Sequence, residues 1–563
     1  MTDLVAAVLQ AVERHPELPA ISAGRSTLTY AELGARIRAT ASALRADGFA
    51  DGDRVLFSVR PGPDAVVLAL GIVLARGTVV FADPGAGEAL FRARARLAAP
   101  RWVAAESLLH LASTTLFRPL ARRRGLELAP YRELVPEARH LRAGPWLPGV
   151  PRGARAVSDL ARAAARAADL SLASDHPDDE ALIVFTSGTT DTPKAVVHTR
   201  GSLGAGLGDF AAGVGLYAGQ LVVTDQLMVG IPALIAGAHW RMPPRSADPI
   251  ARPGDVLPLL ADAELLFAVP AAMDALLREL DAHPGLAPSR LETIVLGGAP
   301  VLRPLLERIR RRFPDTAIRA VYGMTEILPV AIIDGDEKLE ASPGRGDVAG
   351  GREVAGTGGD PVGRLVPSVT ARIDDGELVL SGPGLARGYL HDLPARPLAE
   401  LRTGDLARLD GDRLTLLGRA KDMFIRGTWN VYPGLYEPII AGLPGVAEAV
   451  LTGVPDEIGD DRIVLVLVPE ADRPAELTAE HPLVAAVARA LPGLIDAGAL
   501  PDLVLAAGDL PRSGRSSKLD RAGLARAVAR RVAGDAQQAP TRAGSRGPKL
   551  DSHHGSHHQE EAG

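Results

Sequence analysis

The sequence predicts an α/β protein: a large N-terminal domain of layered α/β subdomains, a small β unit at its end, and a small α+β C-terminal domain. Three observations predict it. Up to Asp360, β-rich apolar runs such as LETIVLGG alternate with segments of helical period such as VLRPLLERIRRRF. Beyond Asp360 the rhythm changes to short strands separated by turn residues, as in VTARIDDGELVLSGPG and DLARLDGDRLTLLGR. From Lys421 a mixed pattern resumes, runs through VAEAVLTGVPDEIGDDRIVLVLVPE and ends near Ala533. A chain of 563 residues, 47% hydrophobic and 23% charged, exceeds what one compact core accommodates. The expected division is 1–419, 420–533 and a disordered tail at 534–563, polar and rich in Gly and Pro.

In chain order, Met1 to His15 reads as a short amphipathic helix. A strand follows, then a helix that begins at the capping-box spacing of Thr29 and Glu32. The most apolar run, Ala65 to Ala75, is far shorter than the roughly 20 residues that cross a bilayer and reads as a buried helix. Arg122 to Arg124 and Arg310 to Arg312 read as helix C-termini, where cations complement the dipole. With 62 basic against 68 acidic residues and a net charge of −6, composition gives no reason to expect nucleic acid as a partner. There is no cysteine, which excludes disulfides, thiol catalysis and thiolate metal sites. With no secretory signal at Met1, the cytoplasm is the expected location.

Leu182 to Thr199, LIVFTSGTTDTPKAVVHT, places an apolar strand before a run of small hydroxylated residues, with Lys194 just ahead of a second strand. Small side chains let backbone N–H groups converge on phosphate oxygens around Gly188. Thr186, Ser187, Thr189 and Thr190 add hydroxyl donors, and the Lys194 ammonium offsets phosphate charge. The Walker spacing is absent. Val295 to Pro300, VLGGAP, ends a strand with Gly297 and Gly298, which let backbone approach a flat ligand, followed by Ala299 and Pro300. VYGMTE then supplies an aromatic ring (Tyr322), a glycine (Gly323), a hydroxyl (Thr325) and a carboxylate (Glu326) at another strand end. Asp405, in RTGDLARLD, is of the type that accepts paired hydrogen bonds from vicinal hydroxyls.

These motifs, in this order from about Val12 to Arg521, resemble the adenylate-forming superfamily of acyl-CoA synthetases, peptide-synthetase adenylation domains and firefly luciferase. The resemblance implies an ATP-dependent ligase that converts a carboxylic acid into an acyl-AMP with release of pyrophosphate, then passes the acyl group to a thiol. It implies that Gly297 to Pro300 lie against adenine and that Tyr322 stacks on it. Thr325 would donate to the α-phosphate, Glu326 hold Mg²⁺, Asp405 bind ribose, and Arg419 add a ribose or phosphate contact. Lys194 would face the leaving pyrophosphate. Lys421 matches the hinge of a mobile C-terminal domain, and Lys518, in LPRSGRSSKLDR, the lysine that reaches the attacking carboxylate and α-phosphate. The acid would lie against Leu227, Met228, Val229 and Ile231, beside Gly298 and Met324, an apolar set that favours an apolar acyl or aryl group. His239 reads as a structural histidine.

Several positions depart from the family pattern. Asp191 and Ala195 replace the glycines of TSGTTGxPKGV, and Ser517 stands where glycine precedes the catalytic lysine. An undissipated carboxylate charge beside triphosphate repels it strongly when desolvated and weakly when solvated. In IRGTWNVYPGLYE, Asn430, Tyr432, Pro433 and Glu437 match the segment lining the pantetheine channel, while Thr428 and Trp429 replace Gly-Glu. CoA is the expected acceptor. An acyl carrier protein, an amine or the substrate's own hydroxyl stay open, the last because FADPG and YGMTEILPVA resemble the β-lactone synthetase branch. A degenerate nucleotide- or acyl-binding protein is the alternative from another class.

Overall fold

The computed structural model describes residues 3–538 apart from 83, 85–87, 124–127, 163–175, 186–193, 245–246, 248, 287, 342–358, 394–395, 420–421, 423, 427–428, 432, 456–460, 496–498 and 514–517. The segment expected to be a disordered tail lies almost wholly outside them. The strands that position the candidate site are β1 (Glu180–Phe185), β2 (Ala195–Thr199), β3 (Leu221–Val223), β4 (Thr293–Gly297), β5 (Ala317–Met324), β6 (Ile327–Asp334), β7 (Gly388–Tyr389), β8 (Leu401–Asp410), β9 (Arg413–Arg419) and β10 (Lys518–Leu519).

The α/β alternation produces two large sheets. An 8-stranded sheet carries β7, β2 and β1 at one side and continues into parallel strands at 78–81, 54–58, 102–106 and 139–143. A 13-stranded sheet holds β3, the Leu265–Ala268 strand, β4 and β5 in parallel, so their carboxyl ends open on one edge. Ligands bind outside such carboxyl edges in open α/β sheets.

Local sequence signals fold as they read. Glu32 N donates to Thr29 Oγ1 at 3.2 Å and Thr29 N to Glu32 Oε2 at 3.0 Å, closing the capping box of the Tyr30–Ala46 helix. The apolar run at Ala65 is the Pro63–Leu74 helix, buried along most of its length. The N-terminal helix, Leu4–Arg14, is capped by Asp3, whose buried carboxylate also accepts from Arg200 at 2.8 Å. Arg122 and Arg310 to Arg312 occupy the last turns of their helices.

The β unit past Asp360 is continuous with the 13-stranded sheet. It joins through β6, which pairs Ala331 with Leu365 and Ile332 with Arg364, while keeping an apolar cluster that includes Val362, Leu378, Leu380 and Leu414.

From Val431 onward a three-stranded sheet (446–455, 461–469, 503–506) carries helices on both faces. Its central strand shows why: Ile463, Leu465 and Leu467 enter one apolar cluster, and Val464, Val466 and Val468 the other. Among the described residues these two clusters span Val431 to Val528 and share no member with the clusters of the preceding body.

Candidate active site

β2 is the backbone from which much of the site is built. Phe185 pairs with Ala195 across the β1–β2 hairpin, which sets Lys194 immediately ahead of β2 with its side chain exposed. Thr186, Ser187, Gly188, Thr189, Thr190 and Asp191 lie outside the described residues. On the other side, β7 pairs with β2 through Gly388↔Val197 and Tyr389↔Val196. The Lys194 ammonium stands 5.5 Å from the centroid of the Tyr389 ring, a contact of about 0.5–1 kcal/mol at exposed sites.

The Tyr389 hydroxyl donates to Glu326 Oε1 at 2.9 Å. Burial, the Glu326 charge and this hydrogen bond all push the phenol pKa up, so it remains a donor. Glu326 is partly buried and has no ion pair among the described residues. Its main chain is held as well, since Ala386 N donates to Glu326 O at 2.7 Å.

His198, on β2, secures the neighbouring residue. Its Nε2 lies 2.7 Å from the Thr325 carbonyl, and its Nδ1 lies 3.1 Å from Ser202 Oγ. A carbonyl only accepts, so Nε2 carries the proton and Nδ1 accepts from the serine hydroxyl. Burial lowers the His198 pKa and keeps the ring neutral, opposed by the Thr325 hydrogen bond and the Glu326 charge. The Thr325–Glu326 turn is thus where the two sheets meet. Thr325 itself is exposed.

The parallel edge of the larger sheet brings the next group together. Gly297, the last residue of β4, pairs with Val321, so Gly298 to Pro300 leave β4 beside the last residues of β5, Tyr322 to Met324, and the Thr325–Glu326 turn that follows them. Gly298 has φ +82°, a left-handed backbone that side chains disfavour, and it is exposed at the strand end. The Tyr322 hydroxyl donates to Asp405 Oδ2 at 2.6 Å. Asp405 is buried at 3% exposure and stands opposite Arg419 across β8–β9. Its backbone N–H donates to Thr403 Oγ1 at 3.0 Å, and that hydroxyl donates to Leu378 O at 2.9 Å, so the Thr-Gly-Asp turn is fixed from within the sheet. The Arg419 side chain and Lys421 lie outside what is described.

The Leu227–Ile235 helix begins just after β3, on the same edge. Val229 is buried, and Leu227, Met228 and Ile231 are partly buried against the same apolar cluster. The helix lies hard against Trp240: a Cβ on Gly230 would stand 2.1 Å from the indole. Met324 ends β5 nearby in sequence to Glu326 and is partly buried. His239 Nε2 contacts Ser22 Oγ at 2.9 Å, in keeping with a structural histidine.

Lys518 lies elsewhere in the fold, exposed on β10, which pairs with the Arg512–Ser513 strand. Close to it in sequence, Arg521 binds Glu437 in a bidentate pair (2.8 and 2.5 Å) and reaches Asp422 at 3.2 Å. Glu437, singled out by motif, also accepts from Leu451 N at 2.8 Å.

Sequence reasoning missed Tyr389 and His198. Their contacts span 63 and 127 residues and depend on which strands pair, and nothing in the local text around either residue signals that pairing.

Arranged this way, the described residues offer an aromatic face and a buried carboxylate to a nucleoside, a lysine to phosphate, and a cation-free carboxylate to a metal. Among them there is no group of three or more His, Cys, Asp or Glu that would cage a metal. A lone oxygen ligand suits Mg²⁺, which is commonly held by one or two carboxylates plus substrate phosphates.

Comparison with known proteins places these features in context. Residues 8–390 match the AMP-binding enzyme family. Feruloyl-CoA synthase of Amycolatopsis sp. is 31% identical over 475 residues, covering 78% of this chain and 83% of that enzyme. The olefin β-lactone synthetase of Stenotrophomonas maltophilia is 28% identical over 463 residues, covering 76% and 79%. The ATP-bound crystal structure of MatB from Rhodopseudomonas palustris superposes with a TM-score of 0.72 at 23% identity, covering 94% of this chain and 99% of that one.

Proposed function

Since the chain belongs to the AMP-binding enzyme family, within the adenylate-forming superfamily, we propose that it is an AMP-forming acid–thiol ligase with CoA as the thiol. A carboxylate oxygen attacks the α-phosphorus of ATP, the bond to the β-phosphate oxygen breaks, and pyrophosphate leaves. In the second step the thiol gives up its proton, its sulfur attacks the acyl carbon, and AMP leaves. The observation that carries this reading is the convergence of Tyr322 with Asp405, and of Glu326 with Lys194 through Tyr389, at the place where the two sheets meet.

The roles follow from the chemistry. The Tyr322 ring stacks on adenine beside Gly297, Gly298, Ala299 and Pro300, and Asp405 with Arg419 takes the ribose hydroxyls. Thr325 donates to the α-phosphate. Thr186, Ser187, Gly188, Thr189, Thr190 and Lys194 face the β- and γ-phosphates. Glu326 is the ligand for Mg²⁺, which when bound neutralises charge on the triphosphate. Lys518 is delivered by a mobile domain, 420–533, that turns about Lys421, and stabilises charge between the carboxylate and the α-phosphate. The separate apolar clusters past Val431 support such a body. Leu227, Met228, Val229 and Ile231 take an apolar acid. No described helix is long and apolar enough to cross a membrane, and a cytoplasmic location suits the supply of ATP and CoA.

Product analysis tests the acceptor. Mass spectrometry of reactions with ATP, Mg²⁺ and apolar acids is expected to show acyl-AMP without CoA and acyl-CoA with it. The 28% identity to a β-lactone synthetase favours one second reading, in which a β-hydroxy acid displaces AMP with its own hydroxyl. A β-lactone formed equally with and without CoA would replace the thiol assignment.

A further inference from the structure

We propose that Tyr389 is a positioning residue that orders two groups of the site at once: its hydroxyl sets the Glu326 carboxylate for a divalent cation, and its ring seats the Lys194 ammonium. The inference rests on the proposed roles of Glu326 and Lys194. Geometry carries it. The hydroxyl donates to Glu326 Oε1 at 2.9 Å, which leaves Oε2 without a hydrogen bond among the described residues. The ring centroid is 5.5 Å from Lys194 Nζ. One side chain therefore touches both the carboxylate that would meet the metal and the cation that would meet the phosphates.

The backbone explains why Tyr389 can act as a fixed reference. Its strand is pinned along β2 by pairing at Val196 and Val197, by Arg387 N donating to Val197 O and by Leu390 N donating to Ala195 O, both at 2.8 Å. The His391 ring stacks on it at 6.1 Å. The main chain of the Thr325–Glu326 turn is held independently by His198 and Ala386. Those contacts fix where the Glu326 backbone is. They leave its side-chain torsions free, and the Tyr389 hydroxyl selects among them. A pre-oriented ligand binds more tightly because less freedom is lost when the cation arrives.

The full chain is compared as wild type, Tyr389→Phe, Tyr389→Leu and Glu326→Gln. One readout is the free Mg²⁺ that half-saturates acid-dependent pyrophosphate release. The other is the Mg²⁺-dependent increment in Tm when β,γ-methylene-ATP is bound. Tyr389→Phe keeps the ring and removes the hydroxyl. It is expected to raise half-saturating Mg²⁺ by about three- to tenfold, the worth of one hydrogen bond, with ATP KM at saturating Mg²⁺ changed less than roughly twofold. Its Mg²⁺-dependent Tm increment shrinks while the Tm of the unliganded chain holds. Tyr389→Leu adds a rise in ATP KM, because Lys194 loses its seat. Unaltered Mg²⁺ dependence in Tyr389→Phe, alongside a shift in Glu326→Gln, would overturn the role of Tyr389 alone. An unliganded Tm that drops in Tyr389→Phe with Mg²⁺ dependence unchanged would make the residue structural and also overturn it. No shift in either variant would remove Glu326 as metal ligand and the inference with it.

Discussion

At the scale of single residues, the role proposed for Lys518 separates binding from chemistry. Lys518 stands on a different unit from Tyr322 and Asp405, exposed on β10, so its loss leaves their hydrogen bond untouched. Lys518→Ala is expected to cut acyl-AMP formation by about 100-fold or more, as when a donor to transition-state charge is removed, while ATP still raises Tm. Wild-type adenylation by this variant would remove Lys518 from the mechanism. Residues were legible in the sequence where role and motif coincide. Tyr322, Glu326 and Asp405 each sit in a short stretch that singles them out as candidates, and the structure joins two of them through the Tyr322–Asp405 hydrogen bond. Tyr389 and His198 could not be read this way, because their contacts with Glu326 and Thr325 join residues far apart along the chain. Local text does not encode which strands become neighbours.

At the scale of elements, the Leu227–Ile235 helix is the part expected to choose the acid. It starts at the carboxyl end of β3, and its Met228 and Ile231 are only partly buried against the apolar cluster, unlike Val229. Met228→Ala is expected to lower kcat/KM for apolar acids by about tenfold, the worth of one to two buried methylenes, with ATP KM unchanged. Equal losses for acid and ATP would place the side chain in structural packing instead. Elements whose signals are local were legible: the Thr29/Glu32 capping box and the buried helix at Pro63 formed where the residues put them. The union of the β unit with the larger sheet was not. It rests on two register pairs at Ala331 and Ile332, and a run of alternating strands reads the same whether its edge is free or paired.

For the whole molecule, one buried histidine, His110, and two half-buried ones, His140 and His239, tie stability to pH. Burial pulls His110, His140 and His239 from the ordinary imidazole value of 6.5 down to about 4, with neighbouring arginines adding to the shift at His140 and His239 and His140 itself adding to it at His110. The unfolded chain therefore takes up protons that the folded chain refuses. The stability these groups confer is constant above 6.5 and falls as pH drops from 6.5 towards 4. Carboxylates whose pKa is lowered by arginine, such as Asp51 paired with Arg45, lose their contribution only at still lower pH, starting from an unperturbed value of 3.8. Urea midpoints are expected to be level from pH 8 to 7 and to decline through pH 6 and 5, and less steeply in His140→Phe. A midpoint constant down to pH 5 would contradict the burial of these rings.

The two sheets, the turn at which they meet and the separate C-terminal clusters make sense together as a device for activating a carboxylate. The most direct test is pyrophosphate release by the purified chain supplied with ATP, Mg²⁺ and a panel of aliphatic, aryl and β-hydroxy acids. Release that requires one class of acid, and that is lost in Lys518→Ala, is the expected result. No release with any acid, while ATP still stabilises the chain against heat, would contradict it and leave a nucleotide-binding protein, with Asp191→Gly the variant to ask whether the phosphate loop is what failed.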